Sequence, residues 1–397
     1  MKRVLLLCHT HNDLGLIRSL RKLGYYIIST GNKSGLIGEK YVDEYIPADY
    51  SDKELILQIA IEKKIDAICQ CCNDYAVYTA SYVAERLGLP GYDSYEKTLI
   101  LHNKDRFKDF AKKCGLITPF SEGFDNPADA LKYIEKHNFY PLIVKPVDAS
   151  AGNGINKISS FLEAEKFIQI AFEKSKSKRI VVEPFIEGTQ HGFCTFLKNK
   201  KVIAYCSNNE YSIINKYRVE IDTYPADNCN LVKDLLIEEI ELIADKLNLV
   251  DGIFHLQYIF CDGKPYILEV MRRILGNMYS IPATLLTGFD WDYWETKARC
   301  GLPTDDIPMK SIEEGFYAYK TILSSGNGVI DKLLVKNEYN KYLIGKCLLH
   351  DIGYVVENYK SDPIGFLFLN FSSAREMKAF LIDNYDNSIV KLKSFDK

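Results

Sequence analysis

A chain of 397 residues with 47% apolar content has room for about two or three domains with substantial cores. Its net charge of −3 argues against a nucleic-acid or membrane-surface protein, and the basic cluster Lys174–Arg179 reads as solvated surface. Eleven cysteines, scattered singly apart from Cys69, Cys71 and Cys72 and lacking a second pair at zinc spacing, point to reduced, cytoplasmic thiols.

The apolar run Val4–Cys8 is too short for a signal-peptide core and reads as a first, buried strand. No stretch approaches the roughly 20 apolar residues that span a bilayer. A His9–Asp13 loop leads to a helix with Leu14, Ile17, Leu20 and Leu23 at helical spacing, closed by Gly24. Strands at Tyr26–Thr30 and Ala67–Gln70 alternate with helices at Glu54–Lys64 and Tyr75–Leu87, a doubly wound parallel pattern. Its ligand crevice belongs at the strand carboxyl ends, which carry His9, Thr10, Asn73 and Asp74. No G-x-G-x-x-G follows the first strand, so a dinucleotide is not indicated.

Asn103 precedes a helix from Lys104 to about Cys114, Pro119 leads into a strand, and Pro127–His137 is helical. The strand Tyr140–Pro146 ends in Lys145 and runs into a loop holding Ser150, Gly152 and Gly154. Small residues there let backbone N–H groups approach phosphates; a hairpin turn is the plainer alternative. Leu162–Lys174 reads as a helix, and Arg179–Glu183 as a strand leaving through Pro184-Phe185-Ile186. Val202–Ser207 reads as a strand, Asn208–Arg218 as a polar loop or ribbon with Lys216 and Arg218, and Leu231–Leu247 as a helix.

Residues 253–260 and 265–271 form a hairpin about Asp262-Gly263. A three-residue loop at 262–264 sets Cys261 against Pro265, Gln257 against Glu269 and His255 against Met271. Alternation puts 255, 257, 269 and 271 on one face, with Arg272 and Arg273 just beyond, a place for a divalent cation and phosphate oxygens. Helices near 282–286 and at Trp291–Gly301 follow, the aromatics of the second serving as packing. Residues 310–397 read as a smaller α+β unit with strands at Gly315–Leu323, near Tyr354–Tyr359 and at Gly365–Phe371, then a helix from Ala374 to Tyr385.

In this order and at these intervals the motifs resemble the ATP-grasp superfamily, in the branch of biotin carboxylase and the carboxylate–amine ligases. The resemblance implies a Rossmann-like parallel α/β domain over 1–102, a two-lobed ATP-grasp fold over 103–305 and a small C-terminal α+β domain over 306–397. It implies ATP with Mg²⁺ or Mn²⁺, and Lys104 and Lys145 as nucleotide lysines. Ser150, Gly152 and Gly154 become the phosphate loop, Glu183, Pro184, Phe185 and Ile186 the adenine hinge, and Gln190 and His191 the ribose position. Gln257 and Glu269 become the metal pair, with Arg273, Lys145 and Glu269 catalytic. Three departures stand out: Gln257 replaces an acid, Met271 replaces the usual metal-sharing asparagine, and Gln190 stands where many members place a ribose-binding glutamate. Asn277 is a candidate compensating oxygen.

The implied reaction activates a small-molecule carboxylate as an acylphosphate and joins it to an amine, releasing ADP and phosphate. His9, Thr10, Asn73, Asp74, Lys216 and Arg218 are the candidate substrate contacts. A bicarbonate-using carboxylase and a nucleotide-binding protein with impaired catalysis are the alternatives. No nucleic-acid or membrane partner is expected, and a homodimer is expected because related enzymes commonly form one.

Overall fold

The structure, a computed structural model, describes residues 1–149, 152–308, 313–335, 337–385 and 388–393. Arg3–Leu7, Tyr26–Gly31, Glu44–Pro47 and Ala67–Gln70 form a parallel sheet in which the first strand lies between Tyr26–Gly31 and Ala67–Gln70. The apolar runs are buried on both faces, as a parallel sheet covered by helices requires. The strand Glu44–Pro47, polar and half-buried, was not anticipated. The helices Leu14–Lys22, Lys53–Lys63 and Asp74–Leu87 fall within a residue or so of expectation.

A four-stranded antiparallel sheet follows, in the order Glu122–Phe124, Ile180–Pro184, Leu142–Pro146, Asn156–Ile158. Helices Pro127–His137 and Phe161–Lys174 cover it through Ile134, Ile168 and Phe172. The second large element is an eight-stranded antiparallel sheet. Its order begins Lys264–Met271, Gly252–Cys261, Thr189–Lys198, Lys201–Tyr211, Ile221–Tyr224 and continues through Phe316–Ile322, Gly365–Phe371 and Leu343–Leu348. The strand Thr189–Lys198 was missed, and Lys201–Tyr211 runs four residues past the expected end at Ser207. The helix Cys229–Lys246 packs against this sheet with Val232, Leu236, Ile240 and Ile243. Another core cluster joins Trp291 and Trp294 to Leu16, Ile17 and Leu20 of the N-terminal unit, so those tryptophans are packing residues.

The sheet crosses the expected boundary at 305: Ile221–Tyr224 pairs antiparallel with Phe316–Ile322. Strands beyond 310 thus extend the large sheet, while Gly328–Leu333, Val355–Val356 and Val390–Lys393 form a small sheet of their own. Among the described residues, no helix is long and apolar enough to cross a membrane.

The hairpin differs instructively from expectation. Its turn has two residues, Asp262 and Gly263, both at positive φ, so Cys261 faces Lys264 and Phe260 faces Pro265. A bulge next to Gln257 then shifts the register by one, leaving Leu268 extra and restoring Gln257 opposite Glu269 and His255 opposite Met271. The expected Gln257–Glu269 and His255–Met271 pairs stand, by a different route, while the expected Cys261–Pro265 pair does not.

Candidate functional site

A cavity of about 490 Å³ lies between the four-stranded sheet and the large sheet. One wall brings Lys145, Glu183, Phe185 and Ile186; the other brings Gln190, Glu210, His255, Gln257, Ile259, Glu269 and Met271. Lys104, Arg273, Lys216 and Arg218 complete its cationic lining, and Ile143, Ile155 and Leu268 add apolar surface. The hairpin face predicted from alternation is therefore the floor of this cavity.

Lys104 opens its helix, which buries the amine, and its Nζ lies 3.0 Å from Glu269 Oε2 and donates to the Ala149 carbonyl at 3.0 Å. Burial alone would raise the Glu269 carboxyl; Lys104 outweighs it and holds the group below its usual value. Asn103 does not cap this helix with its side chain, which donates instead to the Leu99 carbonyl. Lys145 Nζ donates to Glu183 Oε2 at 2.7 Å, and Lys108 Nζ stands 3.9 Å from Glu183 Oε1 while donating to the Ile267 carbonyl at 2.8 Å. Glu183 is likewise held low, its two lysines overcoming burial. Burial pushes the Lys108 amine down to about 7, against the pull of Glu183. Lys108 was not anticipated; its position one helical turn after Lys104 was the available signal.

The adjacent arginines diverge. Arg273 faces the cavity and donates through Nε to Asp74 Oδ1 at 2.8 Å. Arg272 points away into the core, where Nε donates to Asp93 Oδ2 at 3.0 Å and the two Nη groups reach the carbonyls of Val250, Gly252 and Ile253. Arg272 is thus a structural rivet rather than a phosphate contact. Asp74 anchors Arg273 and accepts contact from His102 at 3.3 Å; against burial, the Arg273 guanidinium and the His102 hydrogen bond hold its carboxyl well below the carboxylate range.

The other N-terminal substrate candidates have structural roles. Thr10 caps the turn at His11–Asp13, Asn73 caps the helix Asp74–Leu87, and His9 is fully buried with its ring edge-on to Tyr45. None of them lines the cavity, whereas Cys72 does. Lys216 and Arg218 do line it, and Arg218 also donates to the Ser361 carbonyl. Gln190 faces the cavity, but His191, one residue on, points to the opposite face, where it stacks on Tyr258 at 5.1 Å. Its expected place beside a ribose is corrected by strand alternation. Gly152 lines the cavity at φ +74, where a Cβ would lie 2.3 Å from the Tyr217 carbonyl oxygen, so only glycine fits. Gly154, at φ +80, packs by Pro146 and Lys174 and is not part of the lining; Ser150 lies outside the described residues. Pro184, Phe185 and Ile186 line the cavity, with Lys157 Nζ 3.8 Å from the Phe185 ring centroid.

Gln257 does not turn its amide toward Glu269. Its Nε2 donates to both carboxylate oxygens of Glu210, at 3.0 and 2.8 Å, and Gln190 Nε2 donates to the same carboxylate at 2.6 Å. Glu210 was missed because the strand carrying it was ended four residues early, at Ser207 rather than Tyr211. Asn277, also in the lining, donates to the Tyr279 hydroxyl at 3.5 Å. His255 is buried, and burial pushes its imidazole down to about 3, so it is neutral near pH 7. Among the described residues, no three His, Cys, Asp or Glu side chains gather as a metal cluster.

Residues 102–218 match the family profile described as phosphoribosylglycinamide synthetase, ATP-grasp (A) domain. The chain is 23% identical over 237 residues to a phosphoribosylamine–glycine ligase of Fusobacterium nucleatum, covering 55% of each. It is 21% identical over 262 residues to the carbamoyl phosphate synthase large chain of Clostridium botulinum, covering 65% of this chain and 24% of that one. The matches thus span about half the length of the first relative and about a quarter of the second. Among solved structures, an L-amino acid ligase from Bacillus licheniformis superposes with TM-score 0.83 at 18% identity, covering 100% of this chain and 99% of that one. The N5-carboxyaminoimidazole synthetase from Staphylococcus aureus complexed with ADP gives 0.76 at 16% identity, with 97% of both chains covered.

Proposed function

We propose that this chain, which belongs to the ATP-grasp superfamily and has its fold, uses ATP to activate a small-molecule carboxylate and join it to an amine. The observation that carries this reading is a single cavity in which Lys104, Lys145 and Arg273 converge beside an apolar slot of Ile143, Phe185, Ile186 and Ile259. An apolar slot suits a purine, and convergent cations suit a polyphosphate. The similar proteins include ligases named for amine and amino-acid substrates, and one whose structure holds ADP.

In this scheme ATP is a substrate, and each residue has a physical task. The lysine–carboxylate pairs Lys104–Glu269 and Lys145–Glu183 store positive charge in a buried site, and incoming phosphate oxygens compete for it. Arg273 is kept aimed by Asp74 and takes the charge that develops as the γ-phosphoryl group passes to the acid. Divalent metal has a chemically suitable donor set in the Glu269 carboxylate and the Gln257 carboxamide; when bound, it would neutralise phosphate charge. The phosphorylated acid then loses phosphate rather than oxide when the amine attacks.

The test is ADP release from ATP with Mg²⁺ across pooled carboxylates, each with and without pooled amines, plus a bicarbonate arm. A signal that needs both acid and amine and disappears in Lys145→Ala and Glu269→Gln supports the ligase. A signal with bicarbonate alone assigns a carboxylase instead. ATP binding without turnover in any pool refutes the ligase reading for those substrates and favours a binding protein.

A further inference from the structure

The carboxylate absent from position 257 has a counterpart two strands away. Thr189–Lys198 lies between Gly252–Cys261 and Lys201–Tyr211, and Glu210 on the last of these faces the cavity that Glu269 also lines. Gln257 stands directly opposite Glu269 in the ladder and spends its amide on Glu210, at 3.0 and 2.8 Å. Its carboxamide thus lies against Glu210, while its backbone pairs across the ladder with that of Glu269.

Glu210 is buried, and its carboxylate is met by the carboxamides of Gln190 and Gln257. Among the described residues, no lysine or arginine forms an ion pair with it. The other carboxylates of the cavity differ: Glu269 has Lys104, and Glu183 has Lys145. Neutral donors satisfy lone pairs without cancelling charge, so the buried Glu210 carboxyl has amide partners but no paired cation. Two carboxylates and a carboxamide lining one cavity offer the oxygen donors that a hard divalent cation takes.

We infer that Glu210 supplies the second protein anion of the metal–nucleotide site, replacing from two strands away the charge lost at Gln257. The inference rests on the nucleotide reading above. It explains why a neutral residue is tolerated at 257: the carboxamide relays the position of the charge rather than carrying it. The site then keeps two protein anions, moved across the sheet.

The experiment compares the full-length wild type, Glu210→Gln and the double variant Glu210→Gln/Gln257→Glu. The double variant exchanges the amide and the carboxylate while keeping their hydrogen bond. Mn²⁺ binding is followed by loss of its free-ion electron paramagnetic resonance signal in the presence of ADP. ADP binding is measured separately in EDTA. Glu210→Gln is expected to weaken Mn²⁺ binding about tenfold or more, the scale seen when a metal site loses a supporting group. The double variant is expected to recover to within about threefold of wild type, because the two coupled changes cancel. Metal-free ADP binding should be the same in all three. Unchanged Mn²⁺ affinity in Glu210→Gln overturns the inference, as does a double variant no better than the single one. Equal loss of ADP binding in EDTA also overturns it, since that marks a packing role. If wild type binds ADP in EDTA but Glu210→Gln leaves Mn²⁺ affinity untouched, the nucleotide reading survives alone. If wild type binds no ADP under either condition, both fall.

Discussion

Arg272→Met separates two arginines that sequence alone treats as a pair. The guanidinium of Arg272 is 3% exposed, meets Asp93 at 3.0 Å and donates at 2.6 to 3.1 Å to the carbonyls of Val250, Gly252 and Ile253. Methionine matches much of the stem but none of these donors. Asp93 would keep only the Val250 amide, at 2.8 Å, as a buried anion without its cation. Removing one partner of such a pair costs about 3–5 kcal/mol, and each carbonyl left without a donor adds to that loss. Against a total stability of about 5–15 kcal/mol, that is a large fraction. Urea unfolding followed by tryptophan fluorescence should show a lower midpoint with little change in slope. Asp93→Asn in the Arg272→Met background should cost less than it does alone, because the isolated charge is gone. A loss below about 1 kcal/mol, the scale of an exposed ion pair, would refute the rivet. Arg273→Met should instead spare most of the stability and abolish nucleotide-dependent turnover.

Other perturbations reach different parts of the molecule. Burial raises the Asp13 carboxyl to about 7, from an ordinary 3.8, so between those pH values the folded chain keeps a proton the unfolded chain has released. Stability should therefore fall as pH rises through that window, by up to about 1.4 kcal/mol per pH unit. Asp13→Asn should reduce the fall in melting temperature from pH 5 to 7, leaving the contributions of the other raised carboxyls, among them Asp292, raised to about 6, and Asp222. Gly15→Ala would put a Cβ 2.0 Å from Asp292 Oδ2, and overpacking of this kind costs about 1–3 kcal/mol. Chemical denaturation that shows a gain, as helix propensity alone would give, would refute the close approach. Cys72 lines the cavity, yet burial pushes its thiol up to about 12, so its alkylation at pH 8 should lag an ordinary cysteine by about a thousandfold. Peptide mapping after timed iodoacetamide treatment checks this.

What sequence could disclose depended on the range of the interaction that fixed it. The helices Asp74–Leu87 and Pro127–His137 carry their own caps and periodicity, and both were legible. The face shared by His255, Gln257, Glu269 and Met271 followed from alternation, although the turn length was wrong by one residue and the bulge at Leu268 was unseen. Those differences cancelled because a buried face tolerates only registers that keep its side chains in place. Thr189–Lys198 escaped because it is buried almost throughout and shows no alternation. Glu210 escaped for a related reason: what holds Asn209–Tyr211 in a strand is pairing with Ile221–Thr223, not its own composition. Asp74 was singled out as a substrate contact, but its partner Arg273 lies far along the chain, and no local pattern announces that pair.

The shared edge between Ile221–Tyr224 and Phe316–Ile322 also orders events during synthesis. When the cavity-forming segments have left the ribosome, Ile221–Tyr224 still presents an unpaired edge, and it carries Asp222 beside the strand that holds Glu210. Closing that edge requires a partner from well downstream, a non-local contact of the kind that slows folding. The nascent chain therefore passes through an interval in which its nucleotide-facing floor is assembled but its sheet is open to any passing strand. Synonymous changes that slow translation between codons 280 and 316 should lengthen that interval and lower the yield of soluble protein, without altering a single residue of the cavity.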